Sequence, residues 1–363
     1  MELFNSTYIN AGRQAELDWA RGLAIFFMIT VHVAEDLIGM PPGLFSYFLT
    51  ISGGPLAAPV FMMLLGIGIV YSRNSSPQKL AKRGLSLIGL HYALNFFAFG
   101  IPLLLMFSRT SDSIYLTDFF NYMFGIDILA FAGLTFLLFA LKEKLGLKTI
   151  HLVMFTLLLS CLNLILTHPV DSMYLWPFLG LFVHVNEYSF FPFFAWIAYP
   201  VIGYIAGNFL RICTNKTLLY KYLFIISSLI VVCMSLVSIK YDFNILLMYL
   251  KEPDSYYFQD FIQYILVTAI VFSWISILYF ISKIKFLDFF AKILARWSQN
   301  ITIMYCIQWL VIGWLFNLEL TDLPVYTHII LLTGIVITIL ADLGAILYVK
   351  VSTLLSIRFK EKK

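Results

Sequence analysis

The chain has 363 residues, of which 61% are apolar types and 12% are charged. Soluble domains carry about 25% charged residues, so this composition cannot cover a water-facing surface and excludes a soluble globular protein. The net charge of +4 then belongs to loops near anionic lipid rather than to a nucleic-acid surface, so no nucleic-acid partner is expected.

Apolar runs recur near 19–38, 55–72, 84–107, 117–141, 149–167, 189–210, 219–239, 260–282, 297–317 and 325–348. Each is about long enough to cross a hydrocarbon core of roughly 30 Å. They predict an all-α polytopic membrane protein of about ten transmembrane helices, forming one transmembrane domain over 1–363. Placing the amino terminus in the cytoplasm puts 21 of the 24 Lys and Arg on the cytoplasmic side and leaves Arg109, Lys240 and Lys251 outside. That bias predicts cytoplasmic N- and C-termini. The first run lacks a basic leader and a small-residue cleavage site, so it reads as an anchor. Between the fifth and sixth runs, Tyr174-Leu-Trp-Pro-Phe-Leu-Gly-Leu-Phe-Val-His184 is apolar enough for an extra interfacial or re-entrant helix. Cys161, Cys213, Cys233 and Cys306 have no paired spacing, so neither a disulfide framework nor a metal site is expected.

The first run carries the chemistry. Arg21 and His32 are eleven steps apart, which brings both to one helix face roughly 16 Å apart along the axis. Thirteen uncharged residues separate Arg21 from Glu35, about 20 Å of helix against a core of about 30 Å, so charge must lie at membrane depth and face a polar cavity. His32 is suited to act as a base, and Asp36, one turn on, is placed to orient the ring and stabilise its protonated form. The alternative is a neutral histidine hydrogen-bonded between helices.

Asp127 interrupts the fourth run and, with Asp342, is an acid inside an apolar span; each should face the bundle or pair with a cation. For Asp127 a catalytic or substrate role competes with a structural one. His91 with Asn95 either lines the same cavity or holds helices together. His168, Asp171, His184 and Glu187 fall on the outer side, where they could meet an acceptor, but without a matching spacing they read as solvated loop residues; His151 and His328 carry no functional expectation.

The stretch Glu16-Leu-Asp-Trp-Ala-Arg-Gly-Leu-Ala-Ile25 and the Arg-x10-His spacing resemble the first helix of the transmembrane acyltransferase superfamily. Its members include the type-3 acyltransferases and the relatives of heparan-alpha-glucosaminide N-acetyltransferase. Three further segments are similar: Ala58-Pro-Val-Phe-Met-Met-Leu-Leu-Gly-Ile-Gly68 with the basic stretch Lys79–Arg83, Phe190–Gly203, and Trp297-Ser-Gln-Asn-Ile-Thr-Ile-Met-Tyr-Cys-Ile-Gln308. Leu65 and Gln308 depart from it, standing where type-3 enzymes commonly have Ser and where many relatives have His. The stretch 37–54 also lacks the loop histidine of the human-type enzyme.

The resemblance implies a membrane acyltransferase that moves an acyl group, acetyl foremost, from cytosolic acetyl-CoA to an extracytoplasmic hydroxyl or amine on a saccharide or small molecule. It implies His32 as general base or acyl acceptor and a multi-pass location in the cytoplasmic (inner) membrane. Donor phosphates need cations at the inner face, for which Arg21, Lys82 and Arg83 are the candidates, although Lys82 and Arg83 equally suit simple anchoring. A homodimer is left open. The competing reading is a polytopic transporter or lipid-linked-sugar flippase with Arg21, His32 and Asp127 as a polar pathway. A non-catalytic relative is a third.

Overall fold

The computed structural model describes residues 3–72, 75–170, 172–240, 253–318 and 323–361. The first run is α1 (Ala15–His32), continued by a π turn at Val33–Ile38. Its first turn carries Glu16 and Asp18, where negative charge complements the helix dipole. Both acids are buried and paired: Glu16 with Lys216 at 2.5 Å and with the Tyr220 hydroxyl at 2.9 Å, Asp18 with Arg13.

Next come α2 (Leu44–Gly53) and α3 (Ala58–Tyr71), then α4 (Pro77–Asn95), which runs through a π turn at Phe96–Gly100 into α5 (Ile101–Thr110). That turn lies just ahead of Pro102, whose missing N–H disturbs regular bonding in the preceding residues. The run expected at 117–141 is broken: α6 (Ile114–Phe124) stops before Gly125, and α7 (Ile128–Lys144) starts after Asp127. The chain continues with α8 (Thr149–Leu166), α9 (Trp176–Leu179), α10 (Phe193–Trp196), α11 (Ala198–Ile212) and α12 (Lys216–Lys240). After the undescribed stretch 241–252 come α13 (Pro253–Phe258), α14 (Phe261–Ile281), α15 (Asp288–Gln299), α16 (Ile301–Asn317) and α17 (Thr327–Glu361). The four-residue α9 is the extra element expected within 174–184.

Among the described residues, seven helical stretches are long and apolar enough to cross a membrane, or eight if 285–299 and 301–317, bent by 79°, count as one span. The difference from ten has a physical source. α1 holds Glu16, Asp18 and Arg21 within its 18 residues, and α7 is only 17 residues long. The chain is a helical, multi-pass membrane protein.

Two apolar cores organise the bundle. One gathers α3, α7, α8, α10, α11 and α14 with the first half of α1; the other gathers the second half of α1, its π turn, α16 and α17. In the first, α3 and α11 meet backbone to backbone: a Cβ at Gly66 would stand 1.9 Å from the Pro200 carbonyl oxygen, and one at Gly203 would stand 2.0 Å from that of Met63. In lipid no hydrophobic force draws helices together, so such close approach supplies the packing that holds them. Phe61, Leu87, Ile128 and Trp297 touch both cores and mark the seam between them.

Candidate active site

The seam is where α1 displays its polar face. His32, on the last turn of α1, packs against the indole of Trp309, ring centroids 4.3 Å apart. Its Nδ1 lies 3.2 Å from Gln308 Nε2 on α16. The hydrogen bond of the ring therefore goes to Gln308, while Asp36 lines a small recess that His32 also borders. Eleven residues earlier, Arg21 donates to Ser298 Oγ and to the Leu64 carbonyl, both at 3.2 Å. Ser298 in turn donates to Asp18 at 2.7 Å, so the guanidinium is positioned from α1, α3 and α15 at once. These two contacts use two of its five N–H donors.

The third part is the break between α6 and α7. Asp127 caps α7, accepting from the Ile128 N–H at 2.6 Å, and it also accepts from the Tyr305 hydroxyl of α16. Unwound backbone at membrane depth must find partners inside the protein. Here the Ile126 N–H donates to Tyr188 O at 2.8 Å, and the Phe190 N–H donates to Ile126 O at 3.1 Å. Asn95 Nδ2 completes the support, donating to Met123 O at 3.3 Å and Gly125 O at 3.1 Å, with His91 Nε2 3.5 Å away. His91 and Asn95 thus tie α4 to the break.

Two cavities meet across this seam. One, of about 310 Å³, is lined by Arg21 and Arg83 among Phe61, Leu65, Leu87 and Phe131, with Ser298 and Gln299 from α15. Arg83 lies over the Phe136 ring at 4.4 Å, and beyond Gly68 and Phe136 the space continues as a further recess, about 310 Å³, beside Lys79. The other main cavity, of about 600 Å³, is lined by His32, Glu35, Asp127 and Glu187 with Tyr122, Tyr188, Tyr256, Tyr257, Phe190 and Phe191. Burial, reinforced by the Glu187 carboxylate, raises the Tyr188 phenol above its ordinary value, so it stays protonated and able to donate. Met28, Ile128 and Tyr305 line both cavities and form the wall between them.

Of the residues singled out in the sequence, Arg21, Arg83, His32, Asp36 and Asp127 line these adjacent cavities, and Lys82 does not. Lys82 is exposed on α4, and Lys79, one turn before Arg83, occupies the recess instead. Glu187 is an exposed loop residue, as expected, and the return of the chain beside Ile126 also places it at the rim of the histidine cavity. His184 Nδ1–H donates to the Ser189 carbonyl, 3.0 Å away, within its own loop. Asp342 pairs with Arg296 of α15, and Asp171 lies outside the described residues. Sequence reading passed over Tyr305 and the tyrosines of the histidine cavity. Tyr305 stands in the Trp297–Gln308 stretch already singled out, but nothing in its spacing marks it as the partner of an acid 178 residues away.

Residues 13–234 match the family model described as heparan-alpha-glucosaminide N-acetyltransferase, catalytic. No curated protein matches the chain. The matched stretch holds Arg21, His32, Arg83 and Asp127, and supports an acetyltransferase-type membrane enzyme. The chain belongs to the heparan-alpha-glucosaminide N-acetyltransferase catalytic-domain family.

Proposed function

We propose that this protein moves an acyl group, acetyl foremost, from cytosolic acetyl-CoA to an extracytoplasmic hydroxyl or amine on a saccharide. The observation that carries the reading is the shared wall: an arginine-lined cavity and a histidine-lined cavity, on one helix about 16 Å apart, separated by only Met28, Ile128 and Tyr305. On this reading ten spans with cytoplasmic termini form a single domain over 1–363, seated in the cytoplasmic (inner) membrane, and the arginine cavity opens to the cytosol. Arg21 and Arg83, with Lys79 at the recess and Lys82 nearby, receive the donor phosphates. The thioester reaches the wall, and His32 takes the proton of the acceptor as it attacks the carbonyl, with the CoA thiolate leaving toward the cytosol.

For this the ring must present Nε2 as acceptor. Gln308 sets that: turning its amide lets Oε1, which has no partner among the described residues, accept from Nδ1–H and leaves the Nε2 lone pair free. The aromatic rings and carboxylates of the histidine cavity suit a sugar, whose apolar faces stack on rings and whose polar groups bond to acids. Asp127 is read first as the cap of α7 and the partner of Tyr305, and Asp36 as a hydrogen-bonding carboxyl beside the acceptor.

The test is purified protein in proteoliposomes with labelled acetyl-CoA, followed for acyl transfer to added amino sugars and for slow hydrolysis. Turnover that disappears in His32→Ala while donor binding persists supports the reading. Unchanged turnover in that variant, or sugar transport without acyl transfer, overturns it.

A further inference from the structure

One surface outside the site brings large exposed rings and lysines together. Over α15 and the turn before it, Phe286, Phe289 and Phe290 are 89%, 68% and 53% exposed. Lys283, Lys285 and Lys292 are exposed beside them, and Asp288 is the sole carboxylate of 283–296. Within α15, Phe289 and Lys292 fall on one face with Phe290 beside it and Asp288 one turn before Lys292, and the 3-10 turn Lys285–Leu287 brings Lys285 and Phe286 in just ahead of them, so two cations, one carboxylate and three phenyl rings share this end of the helix. α15 and α16 meet at a bend of 79°, so on the reading that α16 crosses the bilayer, α15 lies close to the membrane plane. Large exposed rings on such a helix enter the boundary between head groups and acyl chains, while lysines reach lipid phosphates. Lys283 is already engaged, donating to Thr217 Oγ1 at 2.9 Å and lying over the Tyr279 ring, so Lys285 and Lys292 carry the charge complementarity.

The opposite side of α15 is built into the arginine cavity. A Cβ at Gly22 of α1 would stand 2.7 Å from the Leu294 carbonyl oxygen. Arg13 donates to Ala295 O at 2.8 Å, and Ser298 and Gln299 line the cavity itself. We propose that the Lys285–Lys292 face of α15 binds an anionic phospholipid head group, and that the bound lipid fixes α15 and, through Ser298, Arg21. The second half rests on reading Arg21 as a donor-binding residue; the first does not.

The full-length protein, purified in detergent, is offered phosphatidylglycerol or phosphatidylcholine, and retained lipid is counted by native mass spectrometry. Wild type should hold phosphatidylglycerol about thirtyfold more tightly than K285Q/K292Q, the factor expected for two cations at an anionic surface, with phosphatidylcholine unaffected. K144Q/K148Q removes equal charge from the loop between α7 and α8 and should behave as wild type. Equal phosphatidylglycerol retention by wild type and K285Q/K292Q, or an equal loss in K144Q/K148Q, overturns the proposal. Acetyl-CoA affinity in nanodiscs of each lipid reads the coupling: severalfold tighter binding in phosphatidylglycerol, lost in K285Q/K292Q, supports it. Donor affinity indifferent to lipid overturns the coupling alone, whereas no donor binding in either lipid counts against the acyltransferase reading.

Discussion

The cavity beside Arg21 carries two guanidinium groups and no carboxylate among its lining residues, whereas the cavity beside His32 carries Glu35, Asp127 and Glu187 and neither Lys nor Arg. Two spaces that share a wall of three side chains thus offer different partners, guanidinium cations in one and carboxyl groups in the other. The cations favour an anionic ligand in the first space, and the carboxyl groups suit a polar, hydrogen-bonding one in the second. α1 tolerates so many ionisable groups because each is provided for: Glu16 and Asp18 are paired with Lys216 and Arg13, while Arg21 and His32 each face a cavity.

If the division of labour holds, the largest effect comes from the residue that would do the chemistry. His32→Ala should lower kcat by about 10²–10⁴-fold, the usual worth of a general base, with the Kd for acetyl-CoA unchanged within twofold. Single-turnover transfer and equilibrium donor binding on the same preparation check this. A parallel loss of donor affinity would mean that the two cavities are not separate in function.

Arg21 comes next. Hydrogen bonds to charged groups are worth about 1.5–3 kcal/mol, so Arg21→Ala should weaken donor binding roughly 10- to 100-fold while leaving the acceptor KM alone. Arg21→Lys keeps the charge but cannot bridge Ser298 and the Leu64 carbonyl, so it should recover only part of the loss. Full recovery would show that charge alone matters there.

These two residues were legible in the sequence because a helix of fixed pitch turns a spacing of eleven into a shared face, and because thirteen uncharged residues are too few to hide the flanking charges in lipid. The break at Asp127 was legible for the same reason, as an acid inside an apolar run. What the spacing could not convey is any pairing across the fold. Tyr305 with Asp127, Gln308 with His32 and Glu187 at the histidine cavity all depend on how α16 and the loop before α10 come to rest against α1 and α7. The number of spans was blurred differently: hydropathy averages over a window, so it joins α6 to α7 across a gap that the backbone pairing of Ile126 with Tyr188 and Phe190 stabilises.

The wall itself offers a smaller effect. Tyr305→Phe removes the hydroxyl that donates to Asp127 and keeps the ring between the cavities, and one side-chain hydrogen bond of about 0.5–1.5 kcal/mol shifts rates a few-fold to about tenfold. Tyr305→Ala removes the ring as well and joins the two spaces. Acetyl-CoA hydrolysis without acceptor should therefore rise severalfold in the alanine variant and stay near wild type in the phenylalanine one. Equal hydrolysis in both would take Tyr305 out of the barrier.

Glu187→Gln should give the smallest change, because this carboxylate sits on the loop before α10 among several other acceptors. Losing one of three carboxylates in a partly solvated space weakens attraction for a cationic or polyhydroxyl acceptor by only a few-fold, since water and ions screen the remainder. The acceptor KM should rise by that amount at low salt and converge with wild type at high salt, while the donor KM stays fixed at both. A rise in donor KM instead would mean that the field of the histidine cavity reaches through Met28, Ile128 and Tyr305. The opposition between the two spaces would then be one continuous gradient rather than two separate sites.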